Sequence, residues 1–366
     1  MTVKAREVLN NMKAYPLNKS IEEVQAELGF EKAYKLAENE NIFGCSPKIK
    51  ANLSTHLNEL FTYPDGHARQ LTSKLAQFHQ LHFHSIFIGN GSDEIIRLLC
   101  RAFICNDDEA VMADVTFPRY KTNVLIEGGK PIIVPLQNGV HDLSSMLRAI
   151  TSRTKLVFIC NPNNPTGTII NKQQLLEFID QVPNDCLVVL DEAYYEYADN
   201  EQLLQSVPLL HKYPNLVILR TFSKAYGLAA LRIGYGMMSP IYVDELTKVK
   251  DVFNVNQLGQ IAASLALEDQ QFINDCVTKN KTGKEYLEKE LTVLNYDFYP
   301  SQANFIMIHT KRRGDYAANS LLKHGFIVRA GTLLGLPYTI RVTISSMEDN
   351  IHFINTFKNL AAEGEV

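Results

Sequence analysis

TFSKAYGLAALRIGY, at positions 221–235, follows the strand-like run NLVILR at 215–220 and contains a single lysine, Lys224. Hydroxyl side chains stand close to that lysine on its N-terminal side, and Arg232 follows eight positions later with small residues between them. A lysine amine is a nucleophile only when it can lose its proton near neutral pH, which a neighbouring cation or a dry pocket allows. The segment therefore predicts a Schiff base between Lys224 and a carbonyl compound, for which pyridoxal phosphate is best suited. A solvated surface lysine in a polar loop is the alternative that this segment alone leaves open.

Apolar runs alternate with helical patterns between residues 86 and 221. The runs predict strands at 110–112, 130–134, 156–159, 187–190 and 216–219. Because most of these runs are continuously apolar, we expect strands that are buried on both faces, as in a mainly parallel sheet between helices. Ligands bind such sheets beyond the carboxyl ends of the strands. Asn161, Asp191 and Thr221 each stand just after a predicted strand, so we expect them to meet at one site.

The length of 366 residues indicates two lobes, on a prior of roughly 100–200 residues per domain. We expect an N-terminal arm at 1–35, a large cofactor-binding domain at 36–245, and a linking helix with a small C-terminal α/β domain at 246–366. The end of the chain, 361–366, is predicted to be disordered.

The composition argues against several classes of function. A formal net charge of −4 implies no broad attraction to nucleic acid or membranes. No run approaches the roughly 20 apolar residues of a membrane helix, and the start of the chain has no apolar stretch typical of a signal peptide, so a cytoplasmic protein is expected. The six cysteines lack paired spacing and are predicted to be reduced thiols. No metal site is expected, because the histidines within 78–84 have no Cys or Asp nearby to complete one.

Two further segments suit a phosphorylated, electron-accepting cofactor. GNGSDE at 89–94 follows a strand and precedes a helix, so its backbone N–H groups are expected to bind an anion. It lacks the third glycine of a dinucleotide-binding fingerprint. Asp191 ends an apolar strand, where a buried carboxylate is costly unless it is paired, and a protonated ring nitrogen would be such a partner. An ordinary helix cap and a strand-end cap are the structural alternatives for these two segments.

Together these segments resemble fold-type I, pyridoxal-phosphate-dependent aminotransferases. SKAYGLAALRIGY at 223–235 is similar to the lysine segment of that family, and NPNNPTG at 161–167 and DEAY at 191–194 resemble two more family segments in the same order. Within the family, the closest resemblance is to its histidinol-phosphate branch, and it extends over nearly the whole chain. The segments that carry it are NEN at 39–41, YPD at 63–65 and GSDE at 91–94.

The resemblance implies an α/β fold with a seven-stranded, mainly parallel sheet between helices, plus a smaller α/β C-terminal domain. It also implies a homodimer with shared active sites, because Tyr63 resembles a residue that reaches the cofactor phosphate of the neighbouring subunit. Phe117 resembles the aromatic residue that stacks on the cofactor ring, with an ordinary core phenylalanine as the alternative. The remaining cofactor contacts that it implies are Asp191 for the ring nitrogen, Asn164 and Tyr194 for the ring hydroxyl oxygen, and Ser92, Asp93, Thr221, Ser223 and Arg232 at the phosphate end.

For the substrate, the resemblance implies two anion receptors. Arg341 is similar to the family's receptor for the amino-acid carboxylate, with Asn41 beside it, and a planar guanidinium suits a carboxylate. Arg329 and Tyr15 resemble the residues that contact a substrate phosphate. Because the two arginines fall in separate strand patterns, we expect them to hold opposite ends of one substrate.

The predicted activity is the transfer of an amino group between glutamate and imidazole-acetol phosphate, which gives histidinol phosphate in histidine biosynthesis. Lys224 would then be the catalytic residue. Transfer to or from aromatic amino acids, decarboxylation of a phospho-amino acid, and a non-catalytic binding module are the alternatives. Ile42 and Phe43 depart from the Pro-Tyr that is usual in the family, which leaves the choice of substrate less determined than the fold.

Overall fold

The structure is a computed structural model and describes residues 3–366. The α-helices of this range are α1 (Ile21–Leu28), α2 (Pro47–Leu53), α3 (Arg69–His79), α4 (Ser92–Phe103), α5 (Arg119–Ile126), α6 (Leu143–Arg148), α7 (Lys172–Gln181), α8 (Pro240–Val249), α9 (Gln257–Ala266), α10 (Gln270–Val293), α11 (Gly314–Leu322) and α12 (Met347–Ala362). The strands are β1 (Tyr34–Lys35), β2 (Ile86–Gly89), β3 (Glu109–Ala113), β4 (Lys130–Val134), β5 (Thr154–Cys160), β6 (Leu187–Asp191), β7 (Leu216–Thr221), β8 (Gly234–Met237), β9 (Phe305–His309), β10 (Phe326–Ile327), β11 (Arg329–Ala330) and β12 (Thr339–Thr343).

A seven-stranded sheet lies at the centre of the larger part of the molecule, in the strand order β2-β8-β7-β6-β5-β3-β4. Neighbouring strands are parallel except at β8, which runs antiparallel to β7 and to β2. The predicted seven-stranded, mainly parallel sheet is therefore confirmed. Asp191 pairs with Cys160 on one side and with Leu219 on the other, so the carboxyl ends of β5, β6 and β7 lie side by side. The residues that follow these three strand ends are neighbours in space.

Both faces of the central strands of this sheet are buried, which explains their continuous apolar runs, whereas the edge strand β4 is partly exposed. Successive side chains of a strand point to opposite faces. Val188 and Leu190 of β6 belong to one hydrophobic cluster with residues of α7, whereas Leu187 and Val189 belong to a second cluster with residues of α4. Because neither face of β6 is open to water, its one charged residue stands at the end of the strand.

The C-terminal part has its own sheet, the antiparallel set β11-β12-β9. Ile340 and Val342 of β12 pack into a third hydrophobic cluster with residues of α12. Arg341 lies between them in the strand, so its side chain points to the opposite face. In the pairing of β11 with β12, Arg329 is directly opposite Arg341. The register thus places both arginines on the face of the sheet that is turned away from this cluster.

The N-terminal segment packs against this C-terminal part. Helix α1 begins with a capping box, in which the Ser20 hydroxyl accepts from the Glu23 amide and the Glu23 carboxylate accepts from the Ser20 amide. Val24 of α1 shares a small hydrophobic cluster with Ile327 of β10, and β10 pairs in parallel with β1. The first strand of the chain, β1, therefore forms a two-stranded sheet with a strand from the C-terminal part.

The C-terminus differs from the prediction. Helix α12 extends to Ala362, and the side chain of Val366 is buried in the third hydrophobic cluster. The Tyr296 hydroxyl donates a hydrogen bond of 3.1 Å to the Val366 carbonyl. The prediction of a disordered tail at 361–366 was wrong, because an apolar final residue finds a place in the core that the local composition does not indicate.

The connection between the two parts also differs in detail from the single linking helix that was predicted. The helical pattern is divided among α8, α9 and α10, and the predicted domain boundary at residue 245 falls inside α8. Phe253, between α8 and α9, has a positive φ of 54°, a backbone conformation that interrupts a helix. The three predicted domain ranges themselves stay a prediction. Within residues 3–366, the structure has no helix that is both long and apolar enough to cross a membrane.

Candidate active site

One cavity, with a volume of about 180 Å³, lies between the ends of β6 and β7 and the β11-β12 pair. It brings together every predicted site residue except Tyr63 and Asn41. Its lining consists of Tyr15, Asn18, Ala37, Glu38, Asn39, Ser92, Asp93, Phe117, Cys160, Asn164, Asp191, Ala193, Tyr194, Thr221, Ser223, Lys224, Arg232, Arg329 and Arg341.

Lys224 lies in the turn that follows β7, and its amine points into the cavity. The Nζ atom donates a hydrogen bond of 2.9 Å to the Glu38 carbonyl. Burial lowers the pKa of Lys224 to about 7, and the charge of Arg341 adds to that effect. Near neutral pH a large fraction of the Lys224 amines is therefore unprotonated, which is the state that attacks a carbonyl.

Asp191 is the last residue of β6, is buried, and lines the same cavity. One carboxylate oxygen accepts a 2.7 Å hydrogen bond from the Tyr120 hydroxyl, and the other accepts one of 3.2 Å from the Ala193 amide. Burial raises the pKa of Asp191 to about 6, and the hydrogen bond from Tyr120 opposes that rise. A cation placed against this carboxylate would favour its charged form.

The N-terminus of α4 and the residues after β7 meet in one corner of the cavity, and the groups there suit an anion. Helix α4 begins at Ser92, and the Arg232 guanidinium donates 3.2 Å to the Ser223 hydroxyl. Gly91 has a φ of +76°, and a Cβ atom there would lie 2.7 Å from a terminal nitrogen of Arg232. Only glycine therefore lets the arginine approach the helix N-terminus this closely. Amide groups, hydroxyls and one guanidinium converge here as a phosphate group requires.

The carboxylate of Asp93 lies in the same corner, but it does not suit an anion. It accepts hydrogen bonds of 2.9 and 3.2 Å from the Arg119 side chain. This ion pair offsets a negative charge that would otherwise repel a phosphate. The groups of Asp93 that suit an anion are therefore those of its backbone at the start of the helix.

Tyr194 and Asn164 form a second polar group in the cavity. The Tyr194 hydroxyl accepts from the Asn39 amide nitrogen at 3.0 Å and from the Asn164 amide nitrogen at 3.3 Å. Burial raises the pKa of Tyr194, so the phenol keeps its proton. Because its oxygen already accepts two hydrogen bonds, its own proton is available to a ligand oxygen.

Arg341 and Arg329 are both buried, at 4% and 2% exposure. Arg341 donates to the Asn164 side-chain oxygen at 2.6 Å and to the Ala37 carbonyl at 2.7 Å. Arg329 donates to the Pro16 carbonyl at 2.7 Å. The Nε atom of each arginine has no partner among the described residues, and neither arginine has a carboxylate in its ion-pair range there.

The two arginines lie on separate strands, as predicted, but those strands are adjacent in the smaller sheet. They face each other across paired strands, and side chains in such pairs are close neighbours. Because the register fixes the backbone positions and not the distance between the guanidinium groups, the prediction that they hold opposite ends of one substrate stays a prediction. Their contacts nevertheless differ: Arg341 reaches Asn164 near Lys224, whereas Arg329 lies below the N-terminal segment, with its guanidinium 5.0 Å from the ring centre of Tyr15.

Phe117 lines the cavity near the wall formed by Asp191. Its ring meets Tyr120 edge to face, with 5.6 Å between the ring centres. It is only partly buried, so one side of the ring is open to the cavity. This position is open to a stacking partner, as the resemblance implies.

Asn41 does not line the cavity, contrary to the prediction that it supports Arg341. Its side-chain nitrogen donates to the Ala225 carbonyl at 2.8 Å, and its oxygen accepts from the Phe43 amide at 3.0 Å. Both ends of the amide are thus occupied by backbone groups, one of them next to Lys224. Asn39, two residues earlier, reaches the cavity instead, because its positive φ of 57° turns the chain there.

Tyr63 also lies outside the cavity of its own chain. It is 81% exposed and stacks on Phe253, with 4.7 Å between the ring centres. A contact between Tyr63 and a cofactor in this cavity within one chain is therefore not formed. The predicted contact across a subunit boundary stays a prediction.

Sequence reasoning missed several residues of this site. Tyr120 follows Phe117 by three positions, which is nearly one helical turn and was the available signal. Asn39 stood within the quoted segment at 39–41. The Glu38 carbonyl and Asn18 gave no signal, because a backbone acceptor and a loop amide have no sequence pattern of their own.

Comparison with known proteins agrees with the arrangement. The family model of class I and II aminotransferases matches residues 31–357. A histidinol-phosphate aminotransferase of Geobacillus sp. (strain WCH70) is 46% identical over 358 residues, which cover 98% of each chain. One of Bacillus subtilis (strain 168) is 45% identical over 349 residues, covering 95% of this chain and 97% of the relative.

Solved structures show the same fold. The histidinol-phosphate aminotransferase of Sinorhizobium meliloti, in complex with pyridoxal-5'-phosphate, is 25% identical and superposes with a TM-score of 0.90 over 99% of each chain. An L-threonine-O-3-phosphate decarboxylase of Porphyromonas gingivalis is 21% identical, with a TM-score of 0.80 over 90% of this chain and 99% of its own, and this likeness concerns the fold alone. The predicted fold type and the predicted resemblance are both confirmed: the chain belongs to the class I and II aminotransferase family, and within it the chain is similar to the histidinol-phosphate aminotransferases.

Proposed function

We propose that this enzyme transfers an amino group from histidinol phosphate to 2-oxoglutarate, and in reverse from glutamate to imidazole-acetol phosphate, in histidine biosynthesis. Similarity to histidinol-phosphate aminotransferases over nearly the full length of the chain supports the reaction. The structural observation that carries the proposal is the pair of buried arginines, Arg329 and Arg341, in the same cavity as Lys224. Histidinol phosphate carries a phosphate group and glutamate carries carboxylates, and this pair is where these anionic groups would bind.

The two arginines favour an anionic substrate because their charges are not balanced by the protein. Burying a charge without a partner is costly, and two facing guanidinium groups repel each other as well. The free Nε atoms show that their hydrogen-bonding capacity is not exhausted within the described chain. A phosphate or carboxylate group would supply both the opposite charge and the acceptor atoms.

The cofactor is pyridoxal 5'-phosphate, and the residues of the cavity fit it. The corner at Ser92, Ser223 and Arg232 suits the phosphate group, and Asp191 suits a protonated ring nitrogen. Lys224 suits the carbonyl carbon, because its pKa is lowered to about 7. When bound, this cofactor accepts the electron pair that remains when the carbon beside the amino group loses its proton.

Within the proposal, each protein group has a separate role. Asp191 keeps the ring nitrogen protonated, which makes the ring a better electron acceptor. Tyr194 and Asn164 direct hydrogen bonds at the ring oxygen, while Phe117 covers one face. Lys224 would hold the cofactor first, and its freed amine would then act as the base and the acid of the 1,3-proton shift that begins at the substrate α-carbon. Its lowered pKa suits both steps, since a base and an acid are needed in turn near neutral pH.

Substrate binding is assigned to the arginine pair and the N-terminal segment. Arg341, which contacts Asn164, is the group proposed for the α-carboxylate of glutamate. Arg329 is the group proposed for the substrate phosphate, with Tyr15 beside it. Asn41 is not part of this assignment, because both ends of its amide form hydrogen bonds within the chain.

We also propose a homodimer in which Tyr63 enters the site of the partner subunit. The exposure of Tyr63 supports this, as does a patch of exposed apolar side chains around it, which includes Leu60, Phe61 and Val252. Large exposed apolar patches mark interaction surfaces. A cytoplasmic location belongs to the same proposal, and the free thiols of all six cysteines suit a reducing compartment.

The lowered pKa of Lys224 predicts how the cofactor is loaded. The amine reacts only when it is unprotonated, so the rate at which pyridoxal phosphate attaches to cofactor-free protein should rise with pH through about 7 and then level off. Because the charge of Arg341 contributes to the lowering, Arg341→Leu should move the midpoint upward. Stopped-flow absorbance between about pH 6 and pH 9 measures the rate, with Arg313→Leu, an exposed arginine paired to Asp315, as the control. A rate that keeps rising up to pH 9, as an ordinary lysine with a pKa of about 10.4 would give, would contradict the assignment.

The proposed reaction and the role of Arg329 are tested with a panel of amino donors. Wild-type enzyme with 2-oxoglutarate should show a higher kcat/KM for histidinol phosphate than for phenylalanine. Arg329→Leu should lower kcat/KM for histidinol phosphate by about one to two decades, because a hydrogen bond to a charged group contributes roughly 1.5–3 kcal/mol. The loss for phenylalanine should be much smaller, since that substrate has no anion distant from its amine.

Arg313→Leu serves as the matched control and should leave both substrates unchanged. Equal losses for the two donors in Arg329→Leu would remove the phosphate assignment. A wild-type preference for phenylalanine would make the aromatic aminotransferase the function instead. Release of CO₂ from a phospho-amino acid would indicate the decarboxylase.

The shared site is tested by mixing two inactive or weakened forms, Tyr63→Phe and Lys224→Ala. If Tyr63 acts in the partner's site, a hybrid dimer contains one site with both lesions and one site with neither. The hybrid should then show about half of the activity of the wild-type dimer, well above either parent variant. Subunit exchange followed by separation of the hybrid through different affinity tags gives the measurement. A hybrid with no more than half of the activity of the Tyr63→Phe dimer would place Tyr63 outside the partner's site.

A further inference from the structure

The carboxylate of Asp191 is oriented by two donors that come from different parts of the fold. The Ala193 amide belongs to the turn directly after β6, whereas the Tyr120 hydroxyl belongs to α5 and donates at 2.7 Å. The turn amide is present in any sequence with this backbone. Tyr120 is therefore the side chain by which this particular sequence controls Asp191.

Tyr120 is held firmly in the position that this contact needs. Its side chain is completely buried, and its ring stacks on Phe158 of β5 with 4.6 Å between ring centres and an angle of 7° between the planes. Phe117, the residue assigned to the cofactor's ring face, meets the edge of the same ring. Ring stacks of this kind restrict rotation, so the hydroxyl has little freedom to leave the carboxylate.

In the contact between Tyr120 and Asp191, the phenol is the proton donor and the carboxylate is the acceptor. Burial raises the pKa of Tyr120 far above the physiological range, and the charge of Asp191 adds to this rise, so the phenol remains a proton donor. Glu192 and Asp93 are the nearby acidic groups, and both raise the pKa of Asp191. The Tyr120 hydrogen bond acts against them, because a donor stabilises the charged carboxylate.

We propose that Tyr120 is a positioning residue for the amino-transfer reaction: its hydroxyl keeps Asp191 in the charged form, aimed into the cavity, so that the proton between Asp191 and the cofactor stays on the ring nitrogen. The inference rests on the function proposed above. Without the hydroxyl, Asp191 becomes a stronger base than the ring nitrogen of the cofactor. The shared proton then moves toward the carboxylate, and the ring accepts electrons less readily.

Tyr120→Phe tests this inference, because it removes the hydroxyl and keeps the ring that stacks on Phe158. In enzyme loaded with pyridoxal phosphate that carries ¹⁵N at the ring nitrogen, the ¹⁵N resonance should shift toward the value of unprotonated pyridine. The value of kcat should fall about tenfold, as expected for the loss of one hydrogen bond to a charged group, while KM for the amino donor changes less than about twofold.

Tyr213→Phe is the matched control. The Tyr213 hydroxyl also donates to a carboxylate, that of Asp180, at 2.8 Å, and its ring is also buried, but it does not line the cavity. This variant should keep the wild-type ¹⁵N resonance and kcat. Thermal unfolding of both variants measures any general loss of stability.

An unchanged ¹⁵N resonance in Tyr120→Phe would overturn the inference, whatever its melting temperature. The outcome is separable from that of the proposed function. If the wild-type enzyme does not use histidinol phosphate but the ¹⁵N resonance still shifts in Tyr120→Phe, the substrate assignment fails and the role of Tyr120 stands.

Discussion

The cavity gathers more positive charge than the described chain neutralises. Lys224, Arg329 and Arg341 point into it, and none of the three forms an ion pair with a carboxylate of the described residues. Taking charges out of water is costly, and the protein relieves that cost in two ways. The Lys224 amine gives up its proton readily, as its pKa of about 7 shows, and the arginines keep unused donor atoms that an anion could satisfy. Burial, with the charge of Arg341 adding to it at Lys224, thus underlies both the proposed nucleophile and the proposed substrate site.

The fold makes this imbalance possible by the way it places strand ends. The central strands of the large sheet are buried on both faces, and the carboxyl ends of β6 and β7 place Asp191 and the turn to Lys224 at the cavity. The smaller sheet contributes from the other side, because the alternation along β12 turns Arg341 away from Ile340 and Val342. Asp191 lines the cavity from the end of the central sheet, whereas Arg329 and Arg341 line it from the smaller sheet. A cofactor with a cationic nitrogen and a substrate with an anionic group would match these two sets of residues.

How much of this could be predicted from sequence depended on the range of the interactions. Lys224 and Asp191 could be identified because each follows an apolar strand within a local motif. The position of Arg329 opposite Arg341 could not be predicted, since the register between strands is set by tertiary packing and not by either strand pattern. Tyr120 was missed because its role depends on a hydrogen bond between a helix and the end of a strand that are far apart in the sequence. The sequence predicted that Asn41 faces the cavity, whereas Asn39 does so, because the backbone of Asn39 has a positive φ.

Sodium borohydride reduction of the enzyme with bound pyridoxal phosphate, followed by peptide mapping, tests the central claim most directly. Reduction makes the link between the cofactor and its lysine permanent, so the labelled peptide identifies the nucleophile. If the electrostatics of the cavity select the nucleophile, the pyridoxyl group is found on the peptide that contains Lys224, and Lys224→Ala carries none. A label on any other lysine, or an equal label in Lys224→Ala, would contradict the account.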